Sequence, residues 1–378
     1  MTSPVWMEGC VSALAGLSAV IFIPDDTPKT GFSRPMMLQN IMGTPLLSWL
    51  ASSLMAGGVG RFFLVCHERF KREARACFPD DVEFSCPSVE ATSDQLHVFL
   101  STADETEEDI IGVTGPAVIL PFAADEEQFD SAPIASPVTS VSKAALMAAL
   151  DEKFIFTAFL KDHGVPYTDR DGVYGVADLQ EMTSWQPVLS RAKLYELSRQ
   201  GIEIWDYNTT YVDPAASVGA GTALLPGTIL RGQTSIGKNC TIGPNSYLEN
   251  ARVGDGTKVN ASQIYNSSVG YDTHVGPFAY IRPGSSVGNC VRVGDFVEIK
   301  NSNVSDGTKI SHLTYVGDSD VGKNVNFGCG TVTVNYDRAK KYRTVIEDSA
   351  FIGCNTNLIA PVRVGEGAYI AAGSTITD

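Results

Sequence analysis

Beyond residue 217 the chain settles into one hydrophobic rhythm. Aliphatic residues recur every six positions at Val218, Leu224, Leu230, Ile236, Ile242 and Leu248, at Val269, Val275, Ile281, Val287, Val293 and Ile299, and at Ile346, Ile352, Leu358, Val364, Ile370 and Ile376. Gly often follows, as in Val218-Gly219, Ile236-Gly237, Ile242-Gly243, Val269-Gly270 and Val364-Gly365. Six is neither the helical period nor the alternation of a strand. It is the period of a parallel β-helix, in which each hexad forms one side of a triangular coil and turns its aliphatic residue inward. Gly and Asn tolerate the positive φ that the corners demand. Coils of this kind are expected to be left-handed, an exception to the usual right-handed crossover. Three hexads per coil across residues 218–376 predict about nine coils, and about 4.8 Å per strand makes a prism about 40 Å long. Its flat sides suit side-to-side packing into a homotrimer.

The rhythm breaks at length between Gly328 and Arg343, in GCGTVTVNYDRAKKYR. Insertions in solenoids become loops on one side, often the binding side. This one holds Asn335, Tyr336, Arg338, Lys340, Lys341 and Arg343, and four cations in six positions of an acidic chain point to an anion site ahead of a solvated basic loop. The first half reads differently. Residues 19–23 and RFFLVC (61–66) are short apolar runs that predict buried strands, and PLLSWLASSLMAGG (45–58) predicts a helix ending on glycines. DIIGVTGPAVILPFA (109–123) accommodates one or two more strands, so strand–helix–strand order predicts a small parallel α/β sheet. Residues 124–142, rich in Asp, Glu, Ser, Pro and Ala, read as a loose surface segment. VADLQEMTSWQPVLSRAKLYELSRQG (176–201) reads as a helical connector interrupted by Pro187. The expected organisation is an α/β domain over 1–175, a connector over 176–205 and a β-helix over 206–378.

Composition narrows the function classes. With 378 residues, 44% hydrophobic and 19% charged, the chain is an ordinary globular protein with room for two domains. Its formal net charge of −15 argues against nucleic acid or an anionic membrane as a partner. A small anionic substrate needs only a few local cations and stays open. No apolar run reaches the roughly 18 residues of a membrane span. Residues 1–9 carry no Lys or Arg, and Pro24-Asp25-Asp26 makes a poor cleavage site, so no secretory signal is expected and the protein reads as cytoplasmic. The eight cysteines form no Cys-x-x-Cys pair and have no His at ligand spacing. Neither a metal site nor a disulfide framework is expected, and most should be reduced, buried fillers.

Candidate chemistry gathers in the β-helix. Arg282 and Lys300 sit beside inward-pointing Ile281 and Ile299, so both should face outward on comparable sides. His312, Tyr315, Asn326, Asn335 and Tyr336 lie on the coils that follow, and Glu298 adds a carboxylate. A base, cations and hydrogen-bond donors within a few coils make a candidate active site.

The stretches GPFAYIRPG, VGDFVEIKNS, ISHLTYVGD, VGKNVNFGCGTVTVNYD, KYRTVIED, FIGCNTNLIAPV and AYIAAGSTIT resemble, in order, the acetyltransferase domain of the bifunctional N-acetylglucosamine-1-phosphate uridyltransferase/glucosamine-1-phosphate N-acetyltransferase family. The resemblance covers about residues 206–378, with DGVYGVADLQ extending it into the connector. It implies acetyl transfer from acetyl-CoA to the amine of glucosamine 1-phosphate, in the making of UDP-N-acetylglucosamine for the cell wall. His312 then matches the general base and Glu298 a carboxylate that helps orient the site. Arg282, Lys300, Tyr315 and Lys341 match phosphate and sugar contacts, with Asn326 on the sugar. Asn335 and Tyr336 match residues that hold the sugar near the thioester, and Cys329, Cys354 and Ala372 occupy coenzyme-A-lining positions. The family usually has Ala or Gly where Cys329 stands and Ser where Cys354 stands. It also carries a basic coenzyme A contact on an arm after the last coil, and residue 378 falls just beyond that coil.

The family's amino-terminal domain is a nucleotidyltransferase whose first strand runs into L-A-A-G-x-G-T-R-M, then P-K. With Pro35 on that proline, Met36 takes the place of the lysine and the glycine-rich turn falls on residues 22–30, FIPDDTPKT, which has no glycine. Gly43-Thr44-Pro45 still matches a following G-K-P. The magnesium-binding Asp and Asn positions fall on Gly115-Pro116 and Ala177, and the segment between them is short by several dozen residues. The resemblance therefore implies a degenerate uridyltransferase domain, with magnesium needed only if that activity survives. A bifunctional enzyme with a divergent nucleotidyl site and a non-catalytic trimeric scaffold are the two alternatives.

Overall fold

The computed structural model describes residues 18–80, 83–85, 92–104, 106–120, 136–150, 154–168 and 171–377. Contacts divide the chain into two compact units, Met1–Ala192 and Lys193–Asp378.

The first unit is built on a six-stranded sheet. Its strands are β1 (Ser18–Phe22), β2 (Arg61–Val65), β3 (Glu83–Ser85), β4 (Asp109–Val113), β5 (Val138–Ser142) and β6 (Val165–Pro166), in the order β3-β2-β1-β4-β5-β6. The four strands β3, β2, β1 and β4 run parallel. Their alternating residues feed two cores: Ala19, Ile21, Phe62 and Leu64 on one side, Val20 and Phe63 on the other. Burial on both faces is why β1 and β2 are so apolar. The helix Leu46–Ala56 ends as expected at Gly57 and at Gly58, whose φ of 99° only glycine adopts freely.

Two expectations need correction. β5 and β6 add antiparallel, and β5 occupies residues expected to be loose; VTSVS alternates on a polar background and escapes a search for apolar runs. Residues 121–135 of that segment lie outside the described residues. The connector breaks at Trp185, between helices Leu179–Ser184 and Gln186–Arg199, while Pro187 sits in the first turn of the second helix, where no backbone N–H is required.

The second unit is a parallel β-solenoid with three faces. The first face runs from Glu203–Ile204 to Tyr369–Ile370 and the second from Tyr211–Val212 to Thr375–Ile376, with ten strands each. The third runs from Ser217–Val218 to Val362–Val364 with nine. The solenoid thus has about ten coils, one more than the hexads predict, because the first coil is laid down by a polar stretch, residues 203–212, that lacks the pattern. Every hexad position named above is buried except Ile376, which is half-buried at the open end. Where the rhythm slips, the fold does not. Val253, Val259, Ile264 and Val269, then Val304, Ile310, Val316, Val321 and Phe327, keep the inward ladder through sides of five residues as well as six.

Corner hydroxyls serve the backbone between coils: the Thr228 hydroxyl shares its one proton between Leu225 O (2.7 Å) and Ile242 O (2.9 Å). Among the described residues no helix is long and apolar enough to cross a membrane. Of the described cysteines, Cys66, Cys77 and Cys240 are buried, whereas Cys290 and Cys354 are exposed and Cys329 is half-exposed. The expectation of mostly buried fillers therefore fails for half of those described, because β-helix corners turn side chains outward.

Candidate active site

In-register stacking converts sequence spacing into columns. Residues at the corner between the first and second faces pile up as Pro277, Asp295, His312, Cys329, Cys354 and Ala372, because Val275, Val293, Ile310, Phe327, Ile352 and Ile370 are successive register partners. His312 and Asp295 are themselves paired across one rung, and His312 Nδ1 lies 2.6 Å from Asp295 Oδ1. That hydrogen bond is the first cause holding the Asp295 carboxyl below its ordinary value. An ionised Asp295 can only accept, so Nδ1 carries the proton and Nε2 is left as the basic atom.

Glu298 does not meet His312. It accepts a hydrogen bond from Arg282 Nη1 at 2.8 Å on the second face, and this bond is what raises the guanidinium's affinity for its proton. Sequence reasoning missed Asp295. The available signal was its distance from His312, one coil of 17 residues, but that requires knowing which coils have a five-residue side.

The second face carries the cations. Lys300 follows inward Ile299, and the neighbouring Lys341 from the inserted loop holds the Lys300 ammonium below its ordinary range, with Arg282 adding to the effect and Asp318 opposing it. Asp318 is buried, and it accepts from Asn335 Nδ2 and, at 2.5 Å, from Asn301 Nδ2. Asn335 also lies 3.5 Å from the Tyr315 hydroxyl. Arg282, Glu298, Lys300, Tyr315, Asn335 and Lys341 therefore share one region.

The inserted loop is a tight hairpin. Asp337 Oδ1 accepts from the N–H groups of Ala339 and Lys340, both at 2.8 Å, and Tyr336 pairs with Lys341 through the backbone. Tyr336 is exposed, with its hydroxyl on Arg338 O at 2.6 Å. The loop does not act as one basic cluster. Arg343 turns to the third face, where it grips Asp320 at 2.6 and 2.8 Å, and Lys340 lies over Tyr342.

Asn326 is on the first face, between Lys309 and Phe351, so it does not share a face with Lys300 and Lys341. Cys329, Cys354 and Ala372 continue the His312 column toward the last coils. One further feature had no signal in the sequence. The corner residue after each of Pro277, Asp295 and His312 is bulky, exposed and at positive φ: Phe278 (59°), Phe296 (55°) and Leu313 (42°). Phe278 and Phe296 stack at 5.4 Å. Such residues rarely adopt this conformation, and here they form an exposed apolar ridge beside His312.

In the first unit, Asp25 and Asp26 close the loop after β1. Arg69 Nη2 reaches Asp25 Oδ2 at 2.5 Å and the Thr27 hydroxyl at 2.8 Å. Asp26 accepts from the Met36 N–H at 3.2 Å, and the Met36 side chain is buried. Among the described residues no group of three or more His, Cys, Asp or Glu side chains could hold a metal ion.

Two family models match: the bacterial transferase hexapeptide (six repeats) over residues 343–378 and the hexapeptide repeat of succinyl-transferase over 233–261. The carboxy-terminal part of the chain is homologous to proteins named bifunctional protein GlmU. That of Brevibacillus brevis is 46% identical over 215 residues, 57% of this chain and 47% of the relative. That of Halalkalibacterium halodurans is 48% identical over 204 residues, 54% of this chain and 45% of the relative. The chain spans about half the length of these relatives. The UDP-N-acetylglucosamine acyltransferase structure of Francisella novicida is 16% identical, with a TM-score of 0.24 over 46% of this chain and 62% of that one. A likeness so loose says nothing of the reaction. Both hexapeptide-transferase family models fall within the solenoid.

Proposed function

We propose that the solenoid transfers the acetyl group of acetyl-CoA to the amine of glucosamine 1-phosphate. The observation that carries this reading is the His312–Asp295 pair, a base held in one tautomer at the head of a column of small side chains. Arg282, Lys300 and Lys341 would take the sugar's phosphate, and a dianion would relieve the repulsion that depresses Lys300. His312 Nε2 would accept the proton of the substrate ammonium, freeing the amine to attack the thioester carbonyl. The C–S bond then breaks, the departing coenzyme A thiolate takes a proton from the imidazolium, and the neutral imidazole then accepts the surplus proton of the acylated nitrogen and passes it to water. Cys329, Cys354 and Ala372 would line the donor's path along the corner. Asn335, held by Asp318, would keep the hairpin and Tyr336 at the sugar's edge.

Asn326 and the lysines occupy different faces of one prism. A sugar bound between two copies would meet the lysines of one and Asn326 of the next, an arrangement that suits a homotrimer, and the Phe278–Phe296–Leu313 ridge offers apolar surface for it. Coenzyme A release with glucosamine 1-phosphate should show turnover that falls about 10²–10⁴-fold in His312→Ala. Turnover unaffected by that change sinks the assignment.

For the first unit we propose no uridyl transfer. Magnesium takes carboxylate and phosphate oxygens, and the residues do not fit it: the matched positions are Gly115-Pro116 and Ala177, while Asp25 and Asp26 are committed to Arg69, Thr27 and Met36.

A further inference from the structure

We propose that Cys329 and Cys354 form a reversible dithiol/disulfide pair, a modification site for low-molecular-weight disulfides on the corner below His312. The two residues occupy the same corner of successive coils: Phe327 pairs with Ile352, and Asn355 N–H donates to Cys329 O at 2.8 Å. The next rung repeats the arrangement, with Gly373 N–H on Cys354 O at 2.7 Å. Coils pack tightly here, since a Cβ on Gly328 would run into the backbone of Cys354. In-register neighbours on adjacent coils sit about 4.8 Å apart, inside the roughly 4.4–6.8 Å that a disulfide spans between Cα atoms. Both thiols are free, Cys354 exposed and Cys329 half-exposed.

The other described cysteines lack this relationship. Cys66, Cys77 and Cys240 are buried, and burial pushes the Cys77 thiol up to about 11. Cys290 is exposed, but the register of His274, Arg292 and Lys309 places Asp272 and Gly307 on its neighbouring coils. Cys290 is therefore a reference within the same molecule, accessible and unpaired.

The chemistry is thiol–disulfide exchange. The Cys354 thiolate attacks a disulfide RS–SR, forming a Cys354–SR bond and releasing RS⁻, which picks up a proton. The Cys329 thiolate then attacks the Cys354 sulfur and expels the second RS⁻. Two cysteine thiols lose two electrons and two protons in all, and RS–SR is reduced to two RSH. The bridge draws the two side chains over the corner where the acetyl donor would pass, a consequence that rests on the acetyltransfer reading.

The probe is oxidised glutathione, added to the full chain, with peptide mass spectrometry as the readout. The expected result is a cross-linked pair of peptides containing Cys329 and Cys354, with only a simple glutathione adduct at Cys290. In Cys354→Ser the link disappears and Cys329 retains an adduct. Two separate, stable adducts on Cys329 and Cys354, or no reaction at either while Cys290 reacts, overturns the pair. Acetyl transfer, followed in the same samples, should fall at least tenfold on cross-linking and return with a thiol reductant; unchanged transfer in the linked protein overturns the blocking role. A chain that links but never transfers acetyl keeps the pair and sinks the activity. One that transfers but never links does the reverse.

Discussion

His312 Nδ1 and Asp295 Oδ1 stand 2.6 Å apart on adjacent coils, register partners as well as hydrogen-bond partners. Asp295→Asn keeps the shape and removes the charge that fixes the imidazole tautomer. The expected outcome is a kcat about 10- to 100-fold lower, smaller than the loss in His312→Ala, with KM for the sugar phosphate nearly unchanged. A variant in which KM rises as much as kcat falls would assign Asp295 a structural role only.

Lys300 and Lys341 form a like-charge pair, proposed above to take the sugar's phosphate. Lys341→Met removes one charge-assisted contact of about 1.5–3 kcal/mol, so KM for glucosamine 1-phosphate should rise about 10- to 100-fold with a smaller change in kcat. The pair also sets a pH dependence. Folding lowers the Lys300 proton affinity from an ordinary value of 10.5, so between the lowered value and 10.5 the unfolded chain binds more protons. Stability rises with pH through that window, and below it the charged pair costs the fold its full penalty. Lys300 is half-exposed, and solvent screening keeps the effect small. Inorganic phosphate at neutral pH should raise the melting temperature of the parent more than that of Lys341→Met.

These residues were differently legible in the sequence. The hexads announced three faces and an interior, since a period of six has few other physical causes. Which outward residues meet was harder, because a five-residue side shifts every later column by one. That is why Glu298, close to His312 in sequence, drew attention while Asp295, its true neighbour, did not. The inserted loop read as one basic patch because linear spacing cannot reveal that Arg343 turns to Asp320 and Lys341 to Lys300. In the first unit, apolar strands such as β1 and β2 were visible and polar β5 was not. Burial on both sides writes itself into the composition of β1 and β2, while β5, an interior strand of the sheet, fills its buried places with Val138, Thr139 and Val141 on a Ser background.

Lys258, His274, Arg292 and Lys309 are direct neighbours on four successive coils of the first face, all exposed. None makes an ion pair with a described residue. Like charges facing each other in a sheet cost about 0.2–1 kcal/mol per pair, whereas the overall charge of −15 favours keeping each cation. The pair term acts over one strand spacing and the net-charge term over the whole molecule, so the pair term should win. Lys309→Thr is therefore expected to stabilise by about 0.5 kcal/mol at low salt, an increment that vanishes near 1 M salt, where the screening length is about 3 Å. Denaturant melts at both ionic strengths would show it. A destabilised variant would mean that something anionic already neutralises the ladder.

Arg69 and Asp25 close the loop that follows β1. The Thr27 hydroxyl and then Arg69 hold the Asp25 carboxyl below its ordinary value of 3.8. A lowered carboxylate stabilises the fold above 3.8, and that contribution is lost as pH falls through the lowered value. Arg69→Ala should therefore melt slightly earlier than the parent at neutral pH, and the two curves should converge in strong acid. Opening the loop should not restore nucleotidyl chemistry, because Met36 stays buried and Asp26 stays bound to its N–H. Neither protein should release pyrophosphate from UTP and N-acetylglucosamine 1-phosphate with magnesium present. Release by the parent would show a working site, and release only by Arg69→Ala would make the Arg69–Asp25 bond a lock on one.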